Sequence, residues 1–319
     1  AISRFPRYGQ LSRVNVKENA VSRVDVSETK RHSEDFCVWK KYKPGDPWWN
    51  SPLGKGRPGW HIEDTAIAEH FFGPQYDIHG GGIDLIFPHH EAEITQMEAA
   101  SGKHPFVRYW LHNGFVTVNG EKMSKSRGNF ITARQAVQQW GGETLRLFFN
   151  QTHYRAPINC TTEALDNAKN ALRHLQQSWE RIRDMKKKAK AGKNDPRVLR
   201  RLVSFQQSFE QALDDDLNTA VALAVLFDLS SFINTLSGVS KETWLEGERV
   251  YVSLGNILGI LYEKKSRQTI PRDVRELVKK REQARQAKQW IESDRLRTLL
   301  ADQGYIVEDT AAGQKIKKK

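Results

Sequence analysis

The sequence predicts an α/β layer built on a parallel sheet, followed by an all-helical bundle and a small mixed α+β unit at the C-terminus. Three observations lead there. From Trp60 to Phe130, helical stretches alternate with short apolar strands, as they do when a parallel sheet is linked by crossover helices. Beyond residue 131 the apolar positions recur with helical period over long segments. After a composition shift at "EKKSRQTIPRD", the remaining chain reads as helix, helix and a short strand. The predicted divisions are therefore residues 1–130, 131–265 and 266–319.

The first sixty residues mix short apolar runs with Pro, Gly and Trp ("KYKPGDPWWNSPLGKGRPGW"), a composition that helices tolerate poorly and that suits a connection leading into a core. "HIEDTAIAEHFFG" then reads as a helix stopped by Gly73, "YDIHG" as a strand, and "HHEAEITQMEAASG" as a helix closed by Gly102. "RYWLHNGFVTVNGEKMSKS" reads as strand, turn and polar loop. The bundle is expected from "TARQAVQQWGGETLRLFFNQ", "TTEALDNAKNALRHLQQSWERIRDM", "PRVLRRLVSFQQSFEQALDDDLNTAVALAVLFDLSSFINTLSG" and "KETWLEGERVYVSLGNILGIL". Between its helices, Arg181 to Arg201 sets ten basic residues against two acidic ones. That run reads as a solvated linker or, in an RNA-binding chain, as a phosphate contact.

Composition narrows the function classes. The 319 residues are 38% hydrophobic, enough to bury a sizeable core, and no run approaches the roughly 20 apolar residues of a membrane span. The start lacks the apolar core of a secretory signal, so an intracellular, reducing location is expected. Two cysteines, Cys37 and Cys160, argue against a disulfide framework and against a cysteine-rich zinc module. A net charge of +12 and a pI near 9.6 favour a polyanionic partner such as nucleic acid.

Three short stretches carry chemistry. In "EKMSKSRGN", lysines can neutralise charge building on a leaving pyrophosphate, and small serines let a loop close over a nucleotide. In "HGGGID", Gly80, Gly81 and Gly82 allow close backbone approach and Asp84 can accept hydrogen bonds from ribose hydroxyls; equally, the glycines can make a tight turn and Asp84 can cap "LIFPHHEAE". In "HHEAE", His89 and Glu93 stand four apart on one helical face, an imidazole and a carboxylate suited to zinc.

Lys122 to Ser126 is the KMSKS signature of class I aminoacyl-tRNA synthetases. Together with "RPGWHIE", "DIHGGGIDLIFPHHEAE", "RYWLHNG" and "GEKMSKSRGNF" it closely resembles the cysteinyl-tRNA synthetase family. "DDDLNTAVALAVLFDL" and "ARQAKQWIESDRLRTLLADQGYIVEDTAAG" extend the resemblance to the C-terminus. The resemblance implies the second half of a Rossmann-type sheet carrying the KMSKS loop, then a helical bundle, then an anticodon-binding unit. It implies activation of cysteine with ATP and magnesium to cysteinyl adenylate, and transfer to tRNA(Cys). Lys122 and Lys125 would stabilise the phosphates, with Met123, Ser124 and Ser126 completing the ATP-binding loop. Gly81, Gly82 and Asp84 would hold adenosine, and Trp60 would form part of the cysteine pocket. His89 and Glu93 would bind zinc, which selects the thiolate of cysteine over the hydroxyl of serine. Arg285, Trp290, Asp294 and Asp309 would read the anticodon, Trp290 by stacking; an ordinary packing role is the alternative for Trp290.

The chain also departs from the family pattern. It contains no HIGH motif, so the 319 residues alone are expected not to activate cysteine unless a separate chain supplies that half. The family's "GWHIECSA" reads "GWHIEDTA" here, so Asp64 stands where a zinc cysteine is expected. Neither Cys37 nor Cys160 falls at a ligand position. Asp64, His89 and Glu93 would make an oxygen-rich site with weakened zinc preference. Beside the ligase reading stand a catalytically silent relative that binds tRNA or a ribonucleoprotein, and an enzyme joining cysteine to a small amine. The complete tail argues against the latter. The expected location is cytoplasmic, with a mitochondrial matrix or other organelle as the alternative, and no membrane partner is expected.

Overall fold

The computed structural model describes residues 2–14, 35–124, 128–262, 271–310 and 313–318. It divides into two compact units, Ala1–Tyr262 and Glu263–Lys319. It is a mixed α/β structure with small sheets, and among the described residues no helix is long and apolar enough to cross a membrane.

The larger unit contains an antiparallel pair, β1 (Trp39–Lys41) and β2 (Gly56–Pro58), inside the segment that the sequence suggested was a loop-rich connection. Helix α1 (Trp60–Phe72) comes next and stops at Gly73, whose φ of 78° ends the helix at little steric cost. Strand β3 (Tyr76–Gly82) runs parallel to β4 (Val107–Asn113), with α2 (Glu91–Ser101) as the crossover between them. Ile94 and Met97 of α2 pack on Phe106 and Val107 as a small core beneath this pair.

The expected turn at "HGGG" is strand. Gly80, Gly81 and Gly82 pair with Leu111, His112 and Asn113, and the chain bends only from Ile83. His89 and His90 lie in an irregular helical turn, residues 86–90, which leads into α2 rather than being part of it.

Strand β5 (Val116–Val118) pairs antiparallel with β6 (Glu121–Lys122) and parallel with β7 (Ile158–Asn159). Between them, "TARQAVQQWGGETLRLFFNQ" forms two helices, α3 (Ala133–Trp140) and α4 (Gly142–Asn150), broken at Gly141 with φ 86°. Thr132 and Gln135 close a reciprocal capping box at the start of α3, satisfying amides the first turn leaves free.

The bundle comprises α5 (Thr162–Lys188), α6 (Pro196–Asp214), α7 (Thr219–Thr235) and α8 (Lys241–Ile257). Thr161, Asp195, Asn218 and Ser240 cap their N-termini with side-chain oxygens. Leu175 and Ile182 of α5, Phe209 of α6, Leu226 of α7 and Tyr251 of α8 are fully buried in one core. Each such side chain stabilises by about 1.5–3 kcal/mol relative to exposure. The basic run Arg181–Arg201 is mostly helix: its lysine cluster ends α5, and only residues 189–195 connect α5 to α6.

The single helical stretch expected across "QALDDDLNTAVAL" breaks at Asp216 and Leu217, which adopt φ of 55° and 54°. Asp216 accepts hydrogen bonds from the Tyr154 hydroxyl (2.8 Å) and from Arg155 Nη2 (3.0 Å), fastening this break to the loop before β7. The bonds from Arg155 and Tyr154 hold the Asp216 carboxyl down at about 2.

The smaller unit contains α9 (Arg272–Gln286), α10 (Trp290–Asp302), and a hairpin of β8 (Tyr305–Thr310) and β9 (Gly313–Lys318) where the sequence suggested one strand. Val274, Leu300 and Val307 form its core.

Candidate functional site: a histidine-rich carboxylate pocket

Helices α1 and α2, strands β3 and β4 and the turn before α2 bring five histidines, two acids and two tryptophans together. His89 is central. Its Nε2 lies 2.8 Å from Asp64 Oδ2 and 3.2 Å from Glu93 Oε1, while its Nδ1 lies 2.6 Å from His61 Nδ1. The indole of Trp60 stacks on the His89 ring at 4.1 Å between centroids, with 22° between planes. Trp60 also stacks on His61 and is itself 53% exposed, so it covers His89 while about half of its surface stays open to solvent.

A second layer lies against the first. His79 Nε2 is 3.7 Å from Glu93 Oε2, and its Nδ1 is 2.5 Å from the Tyr76 hydroxyl. His90 Nδ1 bonds to His112 Nε2 at 2.8 Å. Trp110 stacks on His79 and on His112. The β3–β4 register sets this up, since His79 faces Trp110 and Gly81 faces His112 across the pair.

Gly81 has a packing reason to lack a side chain. A Cβ there would sit 2.7 Å from Cε1 and 3.0 Å from Nε2 of His90. At Gly82 a Cβ would meet Asp84 Oδ1 at 2.6 Å.

Burial and charge divide the imidazoles. Burial lowers His61 to about 4 and His90 to about 3, and the neighbouring imidazoles add to the effect. Burial lowers His79 and His112 in the same way. For His89, burial is outweighed by the Glu93 and Asp64 carboxylates, which hold it above the ordinary imidazole range. The arrangement is thus a carboxylate-paired imidazole among neutral ones.

The donor set fits a cation. Asp64, His89 and Glu93 each offer a ligand atom, all within 4.8 Å of one another. Glu93 is buried, with His89 3.2 Å from Oε1 and His79 3.7 Å from Oε2, and among the described residues neither oxygen has a donor in hydrogen-bonding geometry; a cation there would supply the charge that a buried carboxylate needs.

The expected nucleotide residues are placed differently. Asp84 Oδ2 and Lys122 Nζ pair with each other at 3.1 Å, both half exposed, and Lys122 also lies 4.1 Å over the Phe115 ring. Met123 donates its amide to Val116, and Ser124 donates its amide to Asn129 Oδ1. Lys125 and Ser126 lie outside the described residues. Gly80 and Gly81 line a cavity of about 500 Å³ together with Phe149, Tyr154 and Leu217; Asp84 and Lys122 are not among its lining residues.

In the smaller unit Trp290 is 59% exposed at the start of α10, which removes an ordinary core role. Asp294 is exposed on the same helix, 3.6 Å from Arg297, and Arg285 is half-buried near the end of α9. Asp309 lies on β8, opposite Gln314 of β9; its side chain is outside the described set.

Sequence reasoning missed His61, His79, His90 and His112. His61 was legible in principle, being three residues before Asp64 on one helical face. The others meet only through the parallel register and the turn at 86–90.

Three family models match the chain: tRNA synthetases class I (C) catalytic domain over residues 1–170, DALR domain over 208–262, and cysteinyl-tRNA ligase anticodon binding domain over 267–316. The cysteine–tRNA ligase of Caldicellulosiruptor saccharolyticus is 45% identical over 319 residues, covering 99% of this chain and 68% of its own length. That of Heliobacterium modesticaldum is 42% identical over 336 residues, covering 100% of this chain and 70% of its own. A crystal structure of the ternary complex of Agrobacterium radiobacter LeuRS, tRNA and LeuAMS matches with TM-score 0.51 at 16% identity, covering 67% of this chain and 34% of that one; this is a likeness of fold.

Proposed function

The chain belongs to the cysteine–tRNA ligase family and spans about 70% of the length of the relatives it matches, and on that premise we propose that it takes part in activating cysteine with ATP and transferring it to tRNA(Cys), with activation requiring in addition a part that carries the HIGH motif. The observation that carries the reading is the Asp64–His89–Glu93 pocket roofed by Trp60, in a chain related to cysteine–tRNA ligases from end to end. The division into parts at 1–130, 131–265 and 266–319 belongs to the same reading.

Asp64, His89 and Glu93 would hold zinc. Zinc bound there supplies a soft ligand position for a thiolate, which a serine hydroxyl fills far less well. The exposed surface of Trp60 would pack on the bound amino acid and exclude water from it. In activation, a carboxylate oxygen of cysteine attacks the α-phosphorus of ATP, the bond to the bridging oxygen breaks, and pyrophosphate leaves. ATP enters with magnesium. Lys122 would exchange Asp84 for phosphate as charge grows on that leaving group, Lys125 would act beside it, and the freed Asp84 would accept from ribose hydroxyls. In transfer, a terminal tRNA hydroxyl attacks the adenylate carbonyl and AMP leaves. Trp290 would stack on an anticodon base, with Arg285, Asp294 and Asp309 meeting base edges. The family reading carries a cytoplasmic location with it.

The Asp64 substitution favours one second reading, a relative that binds tRNA without selecting cysteine. Filter binding at matched salt tests the shared part. The chain should retain tRNA(Cys) over unrelated tRNA, and Trp290→Ala should weaken its binding of tRNA(Cys) by about 1–3 kcal/mol, the value of one base stack. Equal retention of both tRNAs would overturn the two readings together; retained tRNA preference with no cysteine binding would leave only the second.

A further inference from the structure

We propose that His79, His90 and Glu93 form a second divalent-cation site, sharing the Glu93 carboxylate with the Asp64–His89 site. The three residues offer ligand atoms within 4.8 Å of one another, independently of Asp64 and His89. Glu93 turns its two oxygens to different neighbours: Oε1 lies 3.2 Å from His89, and Oε2 lies 3.7 Å from His79. A carboxylate presented this way can bridge two cations, which in such sites lie about 3.5–4 Å apart. It is 1% exposed, and neither oxygen has a donor in hydrogen-bonding geometry among the described residues. One cation on the Asp64 side would satisfy Oε1 and leave Oε2 facing an imidazole across 3.7 Å.

The surroundings of the two histidines are those of ligands held in place. The outer nitrogen of each is engaged, Nδ1 of His79 with the Tyr76 hydroxyl and Nδ1 of His90 with His112 Nε2. In the ligand tautomer the Nδ1–H of His79 donates to Tyr76 while its Nε2 lone pair faces Glu93, and the Nδ1–H of His90 donates to His112, which leaves Nε2 as the ligand atom of His90; such outer-shell bonds orient imidazole ligands. Trp110 lies against both rings, at 4.7 Å from His79 and 5.0 Å from His90. The His90 ring sits where it does because Gly81 has no Cβ to displace it. Two nitrogens and a carboxylate oxygen suit zinc or a neighbouring first-row divalent ion rather than magnesium or calcium. The His79 side chain is 21% exposed, giving solvent a way in.

The site rests on this chain's own residues and shares only Glu93 with the cation site of the proposed function, so variants at Asp64 and at His79 let the two fail separately. The test is zinc content by elemental analysis of the 319-residue chain after loading and desalting, with Asp64→Ala and His79→Gln variants confirmed folded by circular dichroism. The expected result is two zinc ions per chain in the parent, one in each variant and none in the double variant. One zinc in the parent, lost in Asp64→Ala and untouched by His79→Gln, would overturn the second site and leave the first. One zinc lost in His79→Gln but kept in Asp64→Ala would support the second and remove the first. A single zinc lost in both variants would show one mixed site and overturn the proposal, as would no zinc at all. Cobalt loading gives a second readout, with two spectrally distinct visible bands, each removed by one variant; a single band removed by Asp64→Ala alone would overturn it.

Discussion

The imidazole of His90 occupies the space where a side chain at Gly81 would begin, 2.7 Å from the position of an ideal Cβ. A methyl group there must push the buried ring off His112 and Trp110. Gly81→Ala should therefore destabilise the fold by about 1–3 kcal/mol, the usual cost of overfilling a packed site. Adding His90→Ala should recover part of that loss in a denaturant titration. Full additivity of the two changes would show that they do not meet.

Replacing Asp64 by cysteine should tighten zinc binding. The ligand set is one nitrogen and two carboxylates, and a thiolate gives a softer donor at the same helical position. Competition with a chromophoric chelator should show Asp64→Cys holding zinc more strongly by on the order of tenfold. An unchanged or weaker affinity would mean that Asp64 is not a ligand.

Asp84 and Lys122 neutralise each other at 3.1 Å on an exposed surface. Such pairs contribute about 0–1 kcal/mol, so Lys122→Met should leave the melting temperature nearly unchanged. Its effect should fall on nucleotide binding, weakened about tenfold by losing one charge-assisted contact. Calorimetric titration with magnesium–ATP measures this, and unaltered affinity would remove Lys122 from the nucleotide site.

Glu98 gives the fold an acid-sensitive joint. Burial raises its pKa, but bonds from His104 Nδ1 (2.9 Å), the Phe106 amide (3.0 Å) and Arg7 Nη2 (2.7 Å) outweigh it and hold the carboxyl below its ordinary range. Because the folded value is depressed, this stabilisation is complete above the unfolded glutamate pKa of about 4.3 and disappears as pH falls through the folded value. Glu98→Gln should cost about 1–3 kcal/mol near neutrality and progressively less toward acid. Stability curves of parent and variant that stay parallel across that range would contradict the assignment.

Much of this fold is visible in local chemistry. Gly73 and Gly102 stop α1 and α2 because both need positive φ, and the i, i+4 spacing of His89 and Glu93 sets them 3.2 Å apart. What is hidden depends on pairing at a distance. The Gly80–Gly82 run reads as a turn by composition, yet it is strand because β4 lies beside it and His90 packs against Gly81. His112 belongs to the site only through its register with Gly81, and β5 meets β7 across some forty intervening residues that no periodicity connects. The break at Asp216 depends on Tyr154 and Arg155, again far away in sequence.

On the proposed function, Asp64, His89 and Glu93 hold a cation that distinguishes a thiol from a hydroxyl. Isothermal titration of the zinc-loaded chain with cysteine and with serine measures that discrimination itself. Cysteine should bind at least about a hundredfold more tightly than serine, the discrimination expected when one polar contact decides acceptance, and removing zinc should erase the difference. Equal affinities for the two amino acids with zinc bound, or a preference that survives zinc removal, would contradict it.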